Sequence, residues 1–376
     1  MTEQKSVEPA FLQLSELASE SSGGRILFAT DDWFAPAEWM LKDSEPIFIA
    51  DKYTPYGKWM DGWETRRKRI AGHDWCIVRL AALSTIKGVL VDTAHFTGNY
   101  APKFSMQGAK LSRSKEELIP ERGREMIGTA CSQKDLEAMA DLGSEDWMTV
   151  IGMTQLKPGY DATRKQYFNI DGCNEPFTHL RVNIFPDGGI ARLRVFGEVQ
   201  PDIKAMLSGS NLIDLLGMLN GGQCLSFSNA HYGHPRNLIK PNRGVNMGDG
   251  WETARRLDRP PVLKTDKQGI LQVPGCEWAI FRLCSKGTVE KIVVDTNHFK
   301  GNFPDNVKIE ATLLDANRTL QSAQWRVLLD SSKLAAHQEH IFQEEKLQFR
   351  GPCNHIRITM SPDGGISRVR LFGRVL

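Results

Sequence analysis

Cysteine is scarce in this chain: seven among 376 residues, an odd number with no Cys-x-x-Cys spacing. That excludes a disulfide frame and reads as reduced thiols in a reducing compartment. Long apolar runs are missing as well. Nowhere do eighteen apolar residues follow one another, and Met1 to Glu20 carries acidic residues without a basic stretch before an apolar one. Neither a membrane span nor a secretion signal is expected. Charge of one sign is also lacking. The net charge is +2 with 24% charged and 41% hydrophobic residues, so there is no field to attract a polyanion, and nucleic acid is not an expected partner. The chain has no Gly-x-Ser-x-Gly elbow, no phosphate-binding loop, no Gly-x-Gly-x-x-Gly fingerprint, and no His-x-His or His-Glu-x-x-His pair. Serine nucleophiles and dinucleotide chemistry lose their support, and no cofactor is expected; a divalent metal stays open without anything pointing to it. The terminal Arg374-Val375-Leu376 is not the Ser-Lys-Leu peroxisomal address, so the cytoplasm is the default, with the peroxisome left open.

What the chain does contain is one pattern written twice. Asp61-Gly62-Trp63-Glu64-Thr65 recurs as Asp249-Gly250-Trp251-Glu252-Thr253. The decapeptides starting at Val91 and Val294 agree at seven of ten positions, both carrying Asp-Thr-x-His-Phe-x-Gly-Asn. The stretches 179–197 and 355–373 share eleven of nineteen residues, including Pro-Asp-Gly-Gly and Phe-Gly. Three ordered matches at similar spacing mean two copies of one domain, not a short-repeat solenoid. The expected domains are 1–199 and 200–376, each an ordinary domain size.

Each half is expected to open with an amphipathic helix before a Gly-Gly break, from the spacing of Phe11, Leu12, Leu14 and Leu17 and of Leu212, Ile213, Leu215, Leu216 and Leu219. Short apolar runs separated by turn formers then dominate. They include 75–80, 88–92, 278–283 and 291–295, and the clearest helix interrupting them is 134–142. This density argues an all-β chain with a jelly-roll-like β-sandwich in each half.

In His179-Leu180-Arg181-Val182-Asn183-Ile184, period-two alternation sends the apolar residues to one face and His179, Arg181 and Asn183 to the other. After the Pro-Asp-Gly-Gly turn, Arg192 and Arg194 continue the pattern, and His355, Arg357, Arg368 and Arg370 repeat it. A solvated outer face is the plain account of any single arginine. Their reappearance in both halves makes Arg181 and Arg357 candidates for binding a carboxylate or a planar urea-like group, which suit the guanidinium fork.

The Asp-Gly-Trp-Glu-Thr strings are the sharpest chemical candidates. Each keeps two carboxylates three residues apart and an arginine three further on, Arg67 or Arg255. A turn running into a strand would bury the tryptophan and aim the acid elsewhere. Glu64 and Glu252 then read as acid/base carboxylates, although each arginine alternatively pairs with its own glutamate. Asp92 with His95, and Asp295 with His298, sit where a strand exits into Phe-x-Gly-Asn. The histidines are candidates for proton transfer, and loop hydrogen bonding serves equally well. Asn99 and Asn302 read as turn-stabilising residues. Thr30-Asp31-Asp32-Trp33 aligns with Asn229-Ala230-His231-Tyr232, so an acidic pair stands in the first half alone.

Three long strings, Phe28 to Glu38, Lys58 to Arg67 and Phe185 to Gly197, resemble the allantoicase family, and the resemblance covers nearly the whole chain. It implies two tandem sandwiches of the galactose-binding-like type and a homo-oligomer. It implies hydrolysis of allantoate to ureidoglycolate and urea in purine breakdown, a reaction on the carbon–nitrogen bonds of a linear amidine. A carboxylate bearing two ureido arms is complemented by arginines and carboxylates. On that chemistry Glu64, Glu252, His95 and His298 are candidate catalytic residues, and Asp61, Arg67, Asp249, Arg255, Arg181 and Arg357 candidate binders of the substrate. The competing reading is a non-catalytic small-ligand-binding sandwich; paired acid and arginine loops favour the enzyme over it.

Overall fold

The computed structural model describes residues 8–315 and 317–376; residues 1–7, part of the stretch read above for a secretion signal, and residue 316 lie outside that description. The chain divides into two compact units, one ending at Gln200 and the next beginning at Pro201. No helix among the described residues is long and apolar enough to cross a membrane.

Each unit is organised by one 19-residue strand, Asp74–Asp92 in the first and Glu277–Asp295 in the second. The separate runs expected at 75–80 and 88–92 are the two ends of that strand. Its leading half pairs antiparallel with Pro176–Phe185 and Arg25–Ala29, and its trailing half with Arg192–Val199 and Lys165–Asn169. Lys103–Ala109 and Met148–Gln155 extend the sheet beyond Pro176–Phe185. The second unit repeats the same order with Cys353–Ser361, Gln223–Phe227, Arg368–Val375, Glu339–Gln343, Asn306–Thr312 and Arg326–Lys333. One strand shared by both layers makes each unit a jelly-roll sandwich.

Between the layers, Val78, Val89, Val91, Phe104, Met106, Leu180, Val182, Ile184, Leu193 and Val195 are fully buried. Period-two alternation supplies that face, and each such aliphatic side chain contributes about 1.5–3 kcal/mol on leaving water.

Two expectations change. Each unit does open with a short helix, a 3-10 turn at Ala10–Gln13 and an α-helix at Ile203–Ser208. The amphipathic helices expected to run through Leu17 and Leu219 do not form. Ser15–Glu16 and Ile213–Asp214 instead pair with the closing strand of their own unit, because an unpaired sheet edge offers more backbone hydrogen bonds than a short isolated helix holds by itself.

The polar face of Pro176–Phe185 is not washed by solvent either. The segment 110–147, with its helix Gln133–Ala140 capped by Ser132 and Asp135, covers it. Met139 and Leu142 pack with Phe28, Trp75 and Ile77. Arg181 is only 6% exposed. Its guanidinium lies 3.9 Å from the Trp75 ring centre and donates to Asn183, Ser144 and Glu145.

Candidate active site

The three repeated motifs meet at one place in each unit. Trp63 and Glu64 form a two-residue strand paired with Gly189–Ile190, just past the Pro-Asp-Gly-Gly turn; Trp251 and Glu252 pair likewise with Gly365–Ile366. The Trp63 indole is fully buried and donates to Asp31 O at 2.9 Å, and Trp251 donates to Asn229 O at 2.8 Å. Glycine at 62 and 250 is forced by close approach, since a Cβ there would press on the carbonyl of Ile190 or Ile366. The second glycine of the turn is forced too: a Cβ at Gly189 or Gly365 would overlap the ring of Phe96 or Phe299, the aromatic of Phe-x-Gly-Asn. The asparagine ending that motif closes the ring. Asn99 O accepts from Gly189 N and Asn302 O from Gly365 N, both at 2.8 Å.

The indole bonds also correct the register between the halves. Asp31, not Thr30, corresponds to Asn229. Arg66 N donates to Asp31 Oδ1 as Ala254 N donates to Asn229 Oδ1, and Phe34 N reaches Glu64 O as Tyr232 N reaches Glu252 O. Asp32 therefore faces Ala230, and Phe34 faces Tyr232. The acidic pair of the first unit is fully engaged: Asp31 with Arg66 at 2.7 Å, Asp32 with Arg122, which also holds Glu38.

Glu64 is 9% exposed. Asn99 Nδ2 donates to its Oε1 at 2.6 Å, and Asn302 Nδ2 donates to Glu252 Oε1 at 2.5 Å. Burial pushes the Glu64 carboxyl up to about 7, against the Asn99 bond that pulls it down. A carboxyl half-ionised near neutral pH is matched to proton transfer. Arg67 and Arg255 are exposed and, among the described residues, neither forms an ion pair with its own glutamate. In the second unit Glu252, Arg255, Asn302 and Tyr232 line a cleft of about 470 Å³, where Arg259 is paired with Asp363 and Lys333 with Asp305. That volume suits a small molecule.

The other expected site residues are not gathered there, and the reasons are physical. Asp61 is 5% exposed and takes bonds from Lys42 at 2.8 Å, Arg192 at 2.6 Å and Ile47 N at 3.1 Å. Burial would raise its pKa, but Lys42 and Arg192 outweigh it and hold the carboxyl below the usual range. Asp249 repeats this with Lys240, Arg368 and Val245 N. Both aspartates shape the loop, with each carboxylate oxygen already accepting a bond from within it. His95 and His298 have left-handed backbones, φ 68° and 73°, and each ring Nε2 donates to a carbonyl, Pro46 O at 3.2 Å and Gly244 O at 2.9 Å. Asp92 and Asp295 bind Arg164 and Arg243 rather than these histidines. The histidines are loop pins.

Arg181 is spent on Trp75, Asn183, Ser144 and Glu145. It lies four residues before the end of its strand, about 13 Å along it from the turn beside Glu64. Arg357 likewise pairs with Glu310 at 2.7 Å.

Sequence reasoning missed the asparagines as partners of the acids, although their recurrence in both halves was the available signal. Tyr232 was hidden by the one-residue misalignment. Among the described residues, no group of three His, Cys, Asp or Glu side chains lies together in metal-binding reach.

Known proteins share this arrangement of the chain. The family model described as allantoicase repeat matches residues 15–200 and again 213–376. A protein named probable allantoicase from Acinetobacter baumannii is 41% identical over 365 residues, 96% of this chain and 94% of its own length. A protein of the same name from Acinetobacter baylyi is 41% identical over 368 residues, 96% and 95% of the two chains. The crystal structure of allantoicase from Saccharomyces cerevisiae matches with a TM-score of 0.70 at 30% identity, covering 96% of this chain and 92% of that one. One repeat model fits both halves and the relatives align over nearly their full length, so this chain belongs to the allantoicase family.

Proposed function

We propose that the chain is an allantoate amidinohydrolase, breaking one carbon–ureido nitrogen bond of allantoate and forming a carbon–oxygen bond from water to give ureidoglycolate and urea. The observation that carries the assignment of roles is an acid and an unengaged guanidinium lining one cleft, Glu252 and Arg255, with Glu64 and Arg67 at the matching place in the first unit. Arg255 and Arg67 supply forked donors for the substrate carboxylate. Glu252 and Glu64 exchange the proton, taking it from the attacking water and returning it to the departing urea nitrogen. The remaining ureido nitrogen assists by pushing electrons toward an imine-like intermediate. Lys42, Arg192, His95 and their counterparts hold the loops that carry the acids.

The family resemblance also supports a homo-oligomer, and the free cysteines are in keeping with a cytoplasmic location. Incubating the purified chain with allantoate while urea and ureidoglycolate are followed tests the reaction: both products should rise together in equal amounts. Allantoate that binds without being consumed would support the small-ligand-binding alternative and end the enzyme reading.

A further inference from the structure

In each unit the main chain of the glutamate is fixed on both sides while its carboxylate has one protein partner. Glu64 N donates to Ala35 O, and Glu64 O accepts from Phe34 N and Ala35 N; Glu252 is held in the same way by Tyr232 and Gly233. Among the described residues, the carboxylate itself meets only an asparagine amide, Asn99 or Asn302. Each of these asparagines is itself anchored, through its carbonyl, to the second glycine of the Asp-Gly-Gly turn. Cβ atoms at Gly189 and Gly365 would overlap the phenylalanine three residues before the asparagine, so turn, phenylalanine and asparagine form one packed unit. An amide that merely stabilised its own turn would bond to that turn's backbone. Here the backbone carbonyl does so, and the side chain is left to reach across to the acid.

We propose that Asn99 and Asn302 are positioning residues for the reaction: each amide N–H binds Oε1 of its glutamate, fixes the carboxylate rotamer, and leaves Oε2 for the proton in transit. The inference rests on the reading of Glu64 and Glu252 as the acid/base groups. An asparagine acting through the glutamate changes the proton-transfer step and leaves substrate binding alone. A donor to a charged acceptor favours the ionised form. Its loss raises the carboxyl's pKa, whereas an aspartate in its place adds like-charge repulsion and raises it further.

The test compares wild type with the Asn99→Ala/Asn302→Ala and Asn99→Asp/Asn302→Asp double variants of the full chain, all checked by thermal melting. Rates on allantoate are measured from pH 5 to 9. The expected result is a fall in kcat of about tenfold to a hundredfold, with KM within about twofold and the acidic limb of the kcat profile moved up by about one to two pH units. The aspartate variant keeps the shape of asparagine and answers the question where the alanine variant fails to fold. Unchanged kcat and pH profile, or a rise in KM with kcat retained, overturns the proposal. A carbon-13 titration of the Glu64 and Glu252 carboxyls in the same proteins separates this from the reaction itself. If wild type releases no urea but both carboxyls titrate higher in the variants, the positioning contact stands and the assigned reaction falls. Carboxyls that titrate alike in all three proteins overturn the positioning contact.

Discussion

Glu64 offers a stability measurement that needs no substrate. Its carboxyl is held at about 7 in the folded chain against a reference of 4.5, with burial as the leading cause. The gap of roughly 2.5 pH units corresponds to about 3 kcal/mol at 1.36 kcal/mol per unit. The sign follows from which state holds the proton. The folded chain keeps it to higher pH than the unfolded chain does, so this contribution is fully present below about pH 4.5 and is lost as pH rises through 7. Glu64→Gln fills the same space and does not titrate. The variant should gain on wild type by about 2–3 kcal/mol between pH 5 and 8. Urea denaturation followed by tryptophan fluorescence at several pH values reads this out. Only the difference between the two proteins is used, so the other titrating groups cancel. A difference that stays flat across that range refutes the claim that Glu64 is a desolvated acid.

Other expectations concern the residues around the acids. Asp61→Asn should cost about 3 kcal/mol at pH 7, because Arg192 stays buried without its partner. Its carboxyl is held low, so the deficit should shrink as pH falls through the folded pKa and wild type takes up the proton; denaturation at pH 7 and pH 3 checks both parts. Arg181→Ala should lower stability by about 2–3 kcal/mol through the lost bonds to Ser144 and Asn183, while the folded variant keeps the wild-type KM for allantoate. Arg255→Ala should raise KM by about tenfold to a hundredfold with a smaller change in kcat, since a carboxylate clamp binds ground and transition states alike; steady-state kinetics decide it.

The duplication made most of this architecture legible from residues alone. Period-two patterns placed Leu180, Val182 and Ile184 in a core, and the Asp-Gly-Trp-Glu strings placed a buried indole beside an acid. What escaped was set by contacts distant in sequence. The burial of Arg181 depends on a helix more than forty residues upstream. The engagement of Asp61 depends on Arg192, which an alternation pattern marks only as facing away from the core. His95 offered two equal readings until its ring was found spent on Pro46 O. The asparagines were read as local turn formers because their partners, Glu64 and Glu252, are 35 and 50 residues away. Strand alternation says which face a side chain takes, and only tertiary packing says what covers that face.

The proposed acid/base function of Glu64 and Glu252 in allantoate hydrolysis is reached directly by one comparison: initial rates of urea release by wild type and by the Glu64→Gln/Glu252→Gln double variant. The rate should be lower by about a hundredfold to ten-thousandfold in a variant that melts as a folded protein. Near-normal urea release from that folded variant would contradict it.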